Sequence, residues 1–420
     1  MALSKKDRLI GVLDAGSTRV YAGIARLESD QSLALLGFGA AAAKGTRNGL
    51  IVDLDEVSGS IRAALQEAEK SAQAEVNRVF LGINSRGLKS FNSSGTLIMG
   101  SNAVPINTAH FQKCIDAASN VSLAHTLETL HIIVRQCLVD ENMEVDNPLG
   151  MEGKRLEVGL HILALPKTQI THFTKAVNQA GLSVEKMTLQ TLAAAEAVLS
   201  PEEREFGAIF LDFGACTTTG LLFQRGKIQH SFSVPVGGDH ITRDIIVGLR
   251  TTLKEAERIK CQHGTLNPQA GEDAGPFEVQ GTGTGRVRQI APQIVTEIIQ
   301  PRIEEILEMT RTEITMAGFE PGQFAGCVVA GGGAALRELA GLTERALDVP
   351  TRLGEPVPLE AWPEELRSPA YASLVGLFQK ARLAMTRRES SLDDRLVGGR
   401  AGVVRTSHRV KNWIQELFSI

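Results

Sequence analysis

Two distant stretches of this chain repeat one local pattern. Leu9-Ile10-Gly11-Val12-Leu13 reads as a buried strand that runs into Asp14-Ala15-Gly16-Ser17-Thr18 and directly on into a second strand over 20–25. About half a chain later, Ala208-Ile209-Phe210-Leu211 leads into Asp212-Phe213-Gly214-Ala215-Cys216-Thr217-Thr218, and Leu221-Leu222-Phe223 follows. Two copies of strand, Asp-x-Gly turn and strand predict a duplicated α/β fold with a cleft between its halves. The 420 residues exceed what one hydrophobic core normally holds, which also points to two lobes.

The turns suggest a chemistry. Backbone N–H groups converge in a tight Gly-containing hairpin and can cradle phosphate oxygens, with the hydroxyls of Ser17, Thr18, Thr217 and Thr218 as further donors. Phosphate would repel Asp14 and Asp212 directly, so their expected role is to hold Mg²⁺ through water. Gly237-Gly238-Asp239 and Gly331-Gly332-Gly333 each lie between a predicted strand and helix, where glycine lets backbone approach an anionic ligand. Glu257 and Lys260, three residues apart on one helix face, are candidates to bracket a nucleoside. Each of these features alone also fits an ordinary turn or a solvated ion pair.

The intervening chain has its own organisation. Val57, Ile61, Ala64, Leu65 and Ala68 mark one face of a helix, and 79–83 a strand. Between 84 and 163, short strands, a helix near 108–118 and an Asn147-Pro148-Leu149-Gly150 turn predict an inserted α+β subdomain. One helix is expected around 245–261, one strand at 277–279, and a long helix over 290–317 bounded or bent by Pro292 and Pro301. The polar, charged stretch 386–408 reads as a linker.

Composition excludes several functions. A net charge of −4 argues against sequence-independent nucleic-acid binding. The five scattered cysteines form no C-x-x-C pair and are expected to be reduced thiols. No apolar run is long enough to cross a bilayer.

The last residues are amphipathic. Val410, Trp413, Ile414, Leu417 and Phe418 share one helical face, and Arg409 and Lys411 add basic character. Such a helix over 409–420 can lie in a membrane interface near anionic lipid.

Taken in order, D-x-G-S-T, D-x-G-x-x-T-T, G-G-D-x-I-T, A-E-R-I-K and A-G-G-G resemble the actin superfamily, and within it the FtsA family of bacterial division proteins. Lys44-Gly45-Thr46-Arg47-Asn48-Gly49, Gly82-Ile83-Asn84-Ser85 and Asp146-Asn147-Pro148-Leu149-Gly150-Met151-Glu152-Gly153 favour that family. The resemblance implies an actin-like, ribonuclease-H-like two-lobed ATP-binding fold. Lobe I would comprise 1–83 and 164–205, with 355–385 returning to it. Lobe II would span 206–354, with 240–302 its outer subdomain. ATP and Mg²⁺ would lie between the lobes, and Gln190 or Glu196 would orient an attacking water, giving at most a weak ATPase. Ala215, Cys216 and Thr219 depart from the family's D-x-G-G-G-T-T-D, which puts hydrolysis in question. The implied role is an adaptor on the cytoplasmic face of the cell membrane at the septum. It would self-associate into head-to-tail filaments, tether FtsZ filaments through the FtsZ C-terminal peptide, and recruit other division proteins. Arg288 and Arg302 are candidate contacts for that acidic peptide. The alternatives are an actin-like pilus-assembly protein without the lipid-binding tail, and a small-molecule kinase or ATPase of the same superfamily.

Overall fold

A computed structural model describes residues 8–140, 143–267, 275–282, 287–357 and 362–397, with side chains as far as 386. The first D-x-G hairpin is β1 (Leu9–Ala15) and β2 (Arg19–Leu27), followed by β3 (Leu33–Ala42). Helix α1 (Leu54–Ala72) begins at Asp53, whose carboxylate accepts the N–H groups of Asp55 and Glu56. Its predicted apolar face is buried against β2 and β3. β4 (Arg78–Ile83) then pairs parallel to β1.

The chain next leaves for β5 (Lys89–Ile98), α2 (Thr108–Ser119), β6 (Leu127–Val139) and β7 (Arg155–Pro166). These strands form an antiparallel sheet with its own core around Phe111, Ile115, Val134, Leu156 and Leu160. Helix α3 (Lys167–Gln179), β8 (Ser183–Leu189) and α4 (Gln190–Val198) return to the first lobe, whose sheet runs β8-β4-β1-β2-β3.

The second hairpin, β9 (Ala208–Phe213) and β10 (Thr218–Gln224), continues into β11 (Lys227–Val234). After α5 (Gly238–Leu249), α6 (Leu253–His263), β12 (Phe277–Gln280), β13 (Val287–Ile290) and α7 (Pro292–Met316) come β14 (Gly326–Ala330), α8 (Leu339–Leu347) and β15 (Thr351–Leu353). This sheet runs β11-β10-β9-β14-β15, the order and strand sense of the first. The repeat read from two turns therefore extends to whole sheets. Each buries its own core, one around Leu13, Ile24 and Leu81, the other around Leu211, Ile245 and Ile303.

Three local expectations are corrected. The helix predicted around 245–261 is two helices, broken where Arg250 turns left-handed at φ 47° and Thr252 caps α6. The strand at 277–279 has a partner, β13, in a hairpin the sequence reading missed. The linker expected from 386 begins as helix, because α9 (Ala372–Val397) runs through its first twelve residues. Arg387, Arg388, Glu389, Leu392 and Arg395 are good helix formers, so polarity there does not mean irregular chain. The amphipathic segment 409–420, with Val410, Trp413, Ile414, Leu417, Phe418, Arg409 and Lys411, lies outside the described residues.

Helix α9 packs on α4 and across β1. The approach is so close that a methyl group on Gly376 would collide with the carbonyl of Ala193. Gly376→Ala should therefore push the helices apart and lower stability by about 1–3 kcal/mol. A depressed midpoint in chemical unfolding checks this, and an unchanged midpoint would mean that the contact is loose.

Candidate functional site: two aspartates across the cleft

The strands that end in Asp14 and Asp212 are each the central strand of their sheet, so the duplication points the two carboxylates toward one another. Both are almost completely buried. Burial raises Asp14 to about 7, opposed by a hydrogen bond from Gln190 and reinforced by the charge of Asp212. Burial likewise raises Asp212 to about 6, opposed by a hydrogen bond from Thr191. Gln190 and Thr191 are the first two residues of α4, so one helix start reaches both lobes. Gln190 Nε2 donates to Asp14 Oδ1, and Thr191 Oγ1 donates to Asp212 Oδ2 at 3.2 Å.

No salt bridge among the described residues compensates these two carboxylates. Two like charges held in a low-dielectric site favour a bound cation. No group of three or more His, Cys, Asp or Glu among the described residues could ligate one alone. The donor set thus fits a Mg²⁺ ion that brings water and phosphate oxygens as its other ligands.

The other predicted residues take distinct places. Gly16 and Ser17 form the first turn, where Ser17 O accepts from Thr46 Oγ1 at 3.1 Å. Thr18 is exposed and lines a cleft of about 1200 Å³ with Asp239, Thr242 and Glu257. In the second turn Gly214 N–H donates to Thr217 O at 2.9 Å, closing the hairpin. Thr217 is buried beside it, whereas Thr218 turns its hydroxyl to Val236 O at 3.0 Å. Thr218 therefore ties β10 to the loop after β11 and is not turned to the cleft as a donor.

The start of α5 differs from the expected free anion site. Gly237 caps the helix, and the N–H groups of Gly238 and Asp239 donate to Gly214 O and Ala215 O at 3.0 and 2.8 Å. The Asp212 turn is thereby fastened to the start of α5. Lys260 Nζ lies 2.8 Å from Glu257 Oε2 and Thr242 Oγ1 and 3.2 Å from Gly238 O, so the predicted pair forms on the cleft wall. Gly331 has φ 87°, and a side chain there would strike Asp212 Oδ1. Gly332 faces open space and Gly333 packs on Phe213.

Several candidates are not brought together. Glu196, at the far end of α4, faces Arg204 at 3.6 Å and Lys380 at 3.8 Å, away from the aspartates. Gln190 alone of the two catalytic candidates reaches them. Arg288 donates to Leu249 O, and Arg302 is held by both oxygens of Asp244 at 2.7 and 3.0 Å. Both arginines are engaged within their own subdomain.

Sequence reasoning missed Thr191 and Asn84. Thr191 follows Gln190 directly, and an N-terminal helix position beside a cleft residue was a usable signal. Asn84 Nδ2 stands 3.1 Å from Thr219 Oγ1, the position that departs from the family pattern. The lobes are also bridged by Arg243 Nη2 to Asn48 Oδ1 at 2.8 Å, and Arg86 Nη2 at the start of the insert reaches Pro235 O of lobe II at 3.2 Å. Cys216 is buried, with Sγ 3.3 Å from Asp239 Oδ2. It brings volume to a turn where the family pattern has glycine.

Protonation favours the folded state wherever native carboxylates sit above the unfolded carboxyl range. That contribution is complete below about 4 and is lost as pH rises through about 6 and about 7, the folded values of Asp212 and Asp14. Asp14→Asn removes the charge and keeps an acceptor for Gln190. It should raise the ligand-free thermal midpoint at pH 7.5 by several degrees, about 1–3 kcal/mol. A lowered ligand-free midpoint would show that the carboxylates do not repel one another.

The family model for cell division protein FtsA matches residues 209–376, and that for the SHS2 domain inserted in FtsA matches 86–164. The chain is 32% identical to cell division protein FtsA of Bacillus subtilis (strain 168) over 371 residues, covering 88% of this chain and 82% of the relative. Identity to the Rhizobium meliloti protein of that name is 32% over 387 residues, covering 89% and 87%. The Escherichia coli (strain K12) protein is 25% identical, with 98% of each chain covered. Among solved structures, a PilM-PilN type IV pilus biogenesis complex superposes with TM-score 0.63 at 16% identity, covering 90% of this chain and 99% of its own. MreB 5 of Spiroplasma citri bound to AMPPNP gives 0.55 at 13%, covering 91% and 98%. At such identities these two structures establish the actin-like fold alone.

Proposed function

Because this chain belongs to the FtsA family of actin-like cell division proteins, we propose that it is an ATP-regulated adaptor that links FtsZ filaments to the cell membrane. The observation that carries the nucleotide reading is the pair of buried aspartates on repeated hairpins, with Thr18 of the first turn and Asp239 at the start of α5 lining a large cleft. A triphosphate with Mg²⁺ would lie between the turns at Gly16-Ser17-Thr18 and Gly214–Thr217. Lys260, Glu257 and Thr242 on one wall, and Gly331-Gly332-Gly333 at the base, would hold the nucleoside. Bound Mg²⁺ would supply charge neutralisation at the phosphates. The chain's own part is to present Asp14 and Asp212 through Gln190 and Thr191, and Gln190 is the residue placed to orient an attacking water.

Membrane attachment rests on the 409–420 sequence. Immersion of Trp413, Phe418 and their aliphatic neighbours is worth at most about 1.5–3 kcal/mol each. A single tail is thus a weak, reversible anchor, and head-to-tail self-association multiplies its hold. The lobe II face over 240–302 is the proposed FtsZ-peptide surface. There Arg302 would have to exchange Asp244 for a carboxylate of the peptide. Location at the septum, on the inner membrane surface, follows from this role.

Co-sedimentation with phosphatidylglycerol-containing vesicles tests the reading. The full chain should pellet more strongly with Mg-ATP than with ADP and should carry FtsZ tail peptide with it. Deleting 409–420 should leave it in the supernatant in either nucleotide. Undiminished pelleting of the deleted chain would overturn the anchor, and failure to retain the peptide would overturn the tether.

A further inference from the structure

The chain leaves β4 for the inserted subdomain at Asn84, beside the start of α4 and the start of β10. At that exit Asn84 Oδ1 accepts the backbone N–H of Ser85 at 2.8 Å. This bond settles which way the amide points, because only the oxygen can face an N–H. The Nδ2 end is therefore the one turned to lobe II, 3.1 Å from Thr219 Oγ1 and 3.5 Å from Thr191 Oγ1. Both threonines are fully buried. With a donor facing its oxygen, Thr191 has its own proton directed to Asp212 Oδ2.

The amide is itself locked from behind. Ser85 Oγ donates to Gln169 Oε1 at 2.6 Å, and Gln169 Nε2 donates to Asn84 O at 2.9 Å and Gly49 O at 3.3 Å. Ser85 and Gln169 are almost completely buried, so this network has little water to replace a lost partner. One connected set of side chains thus joins the loop at Gly49, the mouth of the insert, α3, the start of α4 and the second aspartate.

We propose that Asn84 is a positioning residue for the metal-facing carboxylate of Asp212, acting through Thr191. The proposal rests on the Mg-nucleotide reading of the cleft. It also accounts for Thr219, since an amide donor from lobe I meets the hydroxyl that stands where the family pattern has a carboxylate. Asn84 touches neither phosphate nor metal in this scheme. Its effect is to keep Asp212 oriented and accepting from Thr191, which matters only when a cation is present to be bound.

Calorimetric titration of the full chain with ATP, in excess Mg²⁺ and in EDTA, distinguishes the possibilities. The wild type should bind more tightly with Mg²⁺. Asn84→Ala should lose roughly tenfold in affinity with Mg²⁺, the scale of the Thr191-to-carboxylate hydrogen bond that it keeps aligned, and little in EDTA. Thr191→Ala should behave alike, and the double variant should be no weaker than either single one. Equal losses in the two conditions, additive losses, or no loss would overturn the positioning role. A wild-type chain that binds no ATP in either condition would instead overturn the nucleotide reading on which the role depends.

Discussion

Two buried carboxylates that face one another across the lobes organise this molecule. Asp14 and Asp212 sit at corresponding points of corresponding sheets, and the start of one helix, α4, gives a hydrogen bond to each. The arrangement is costly without a cation, since burial disfavours ionisation of both and the charge of Asp212 further disfavours that of Asp14. It becomes favourable when a cation and phosphate oxygens enter. A fold that holds such a pair in place is set up to respond to a ligand.

The response need not stay in the cleft. The insert is joined to lobe I by its two chain ends, yet its sheet leans on β11 of lobe II. Ser90 Oγ donates to Ser231 O at 2.6 Å, and Arg135 Nε donates to Gln229 Oε1 at 2.8 Å. His161 bridges Asn92 and Ser231 with ring-nitrogen distances of 2.6 and 2.8 Å, and burial lowers it to about 3, so it is neutral there. β11 continues through β10 into the second turn, and Asn84 links the insert's entry to the same turn. A shift of lobe II against lobe I must therefore shear this contact or carry the insert along.

Much of this was legible in the residues. The turn at Asp14 and its echo at Asp212 gave the duplication, and the apolar spacing of Val57, Ile61 and Leu65 gave α1 its buried face. What stayed hidden depends on tertiary partners. Nothing local in Arg302 announces Asp244, which lies on another helix, and nothing in Glu196 announces Lys380. Thr218 reads as a phosphate donor until Val236 O claims its hydroxyl. At the break the left-handed residue is Arg250 itself, with Gly248 still inside the preceding helix, so the pattern reads as one helix. The charged run after 386 shows the converse error, since it holds helix where composition suggested linker.

A crystal structure of the full chain with Mg²⁺ and a non-hydrolysable ATP analogue tests the central claim most directly. The account predicts a triphosphate lying between the two Asp-x-Gly turns, with the cation's water shell touching both Asp14 and Asp212. A nucleotide seated elsewhere in the molecule, or a cation that ignores one of the two carboxylates, would contradict it.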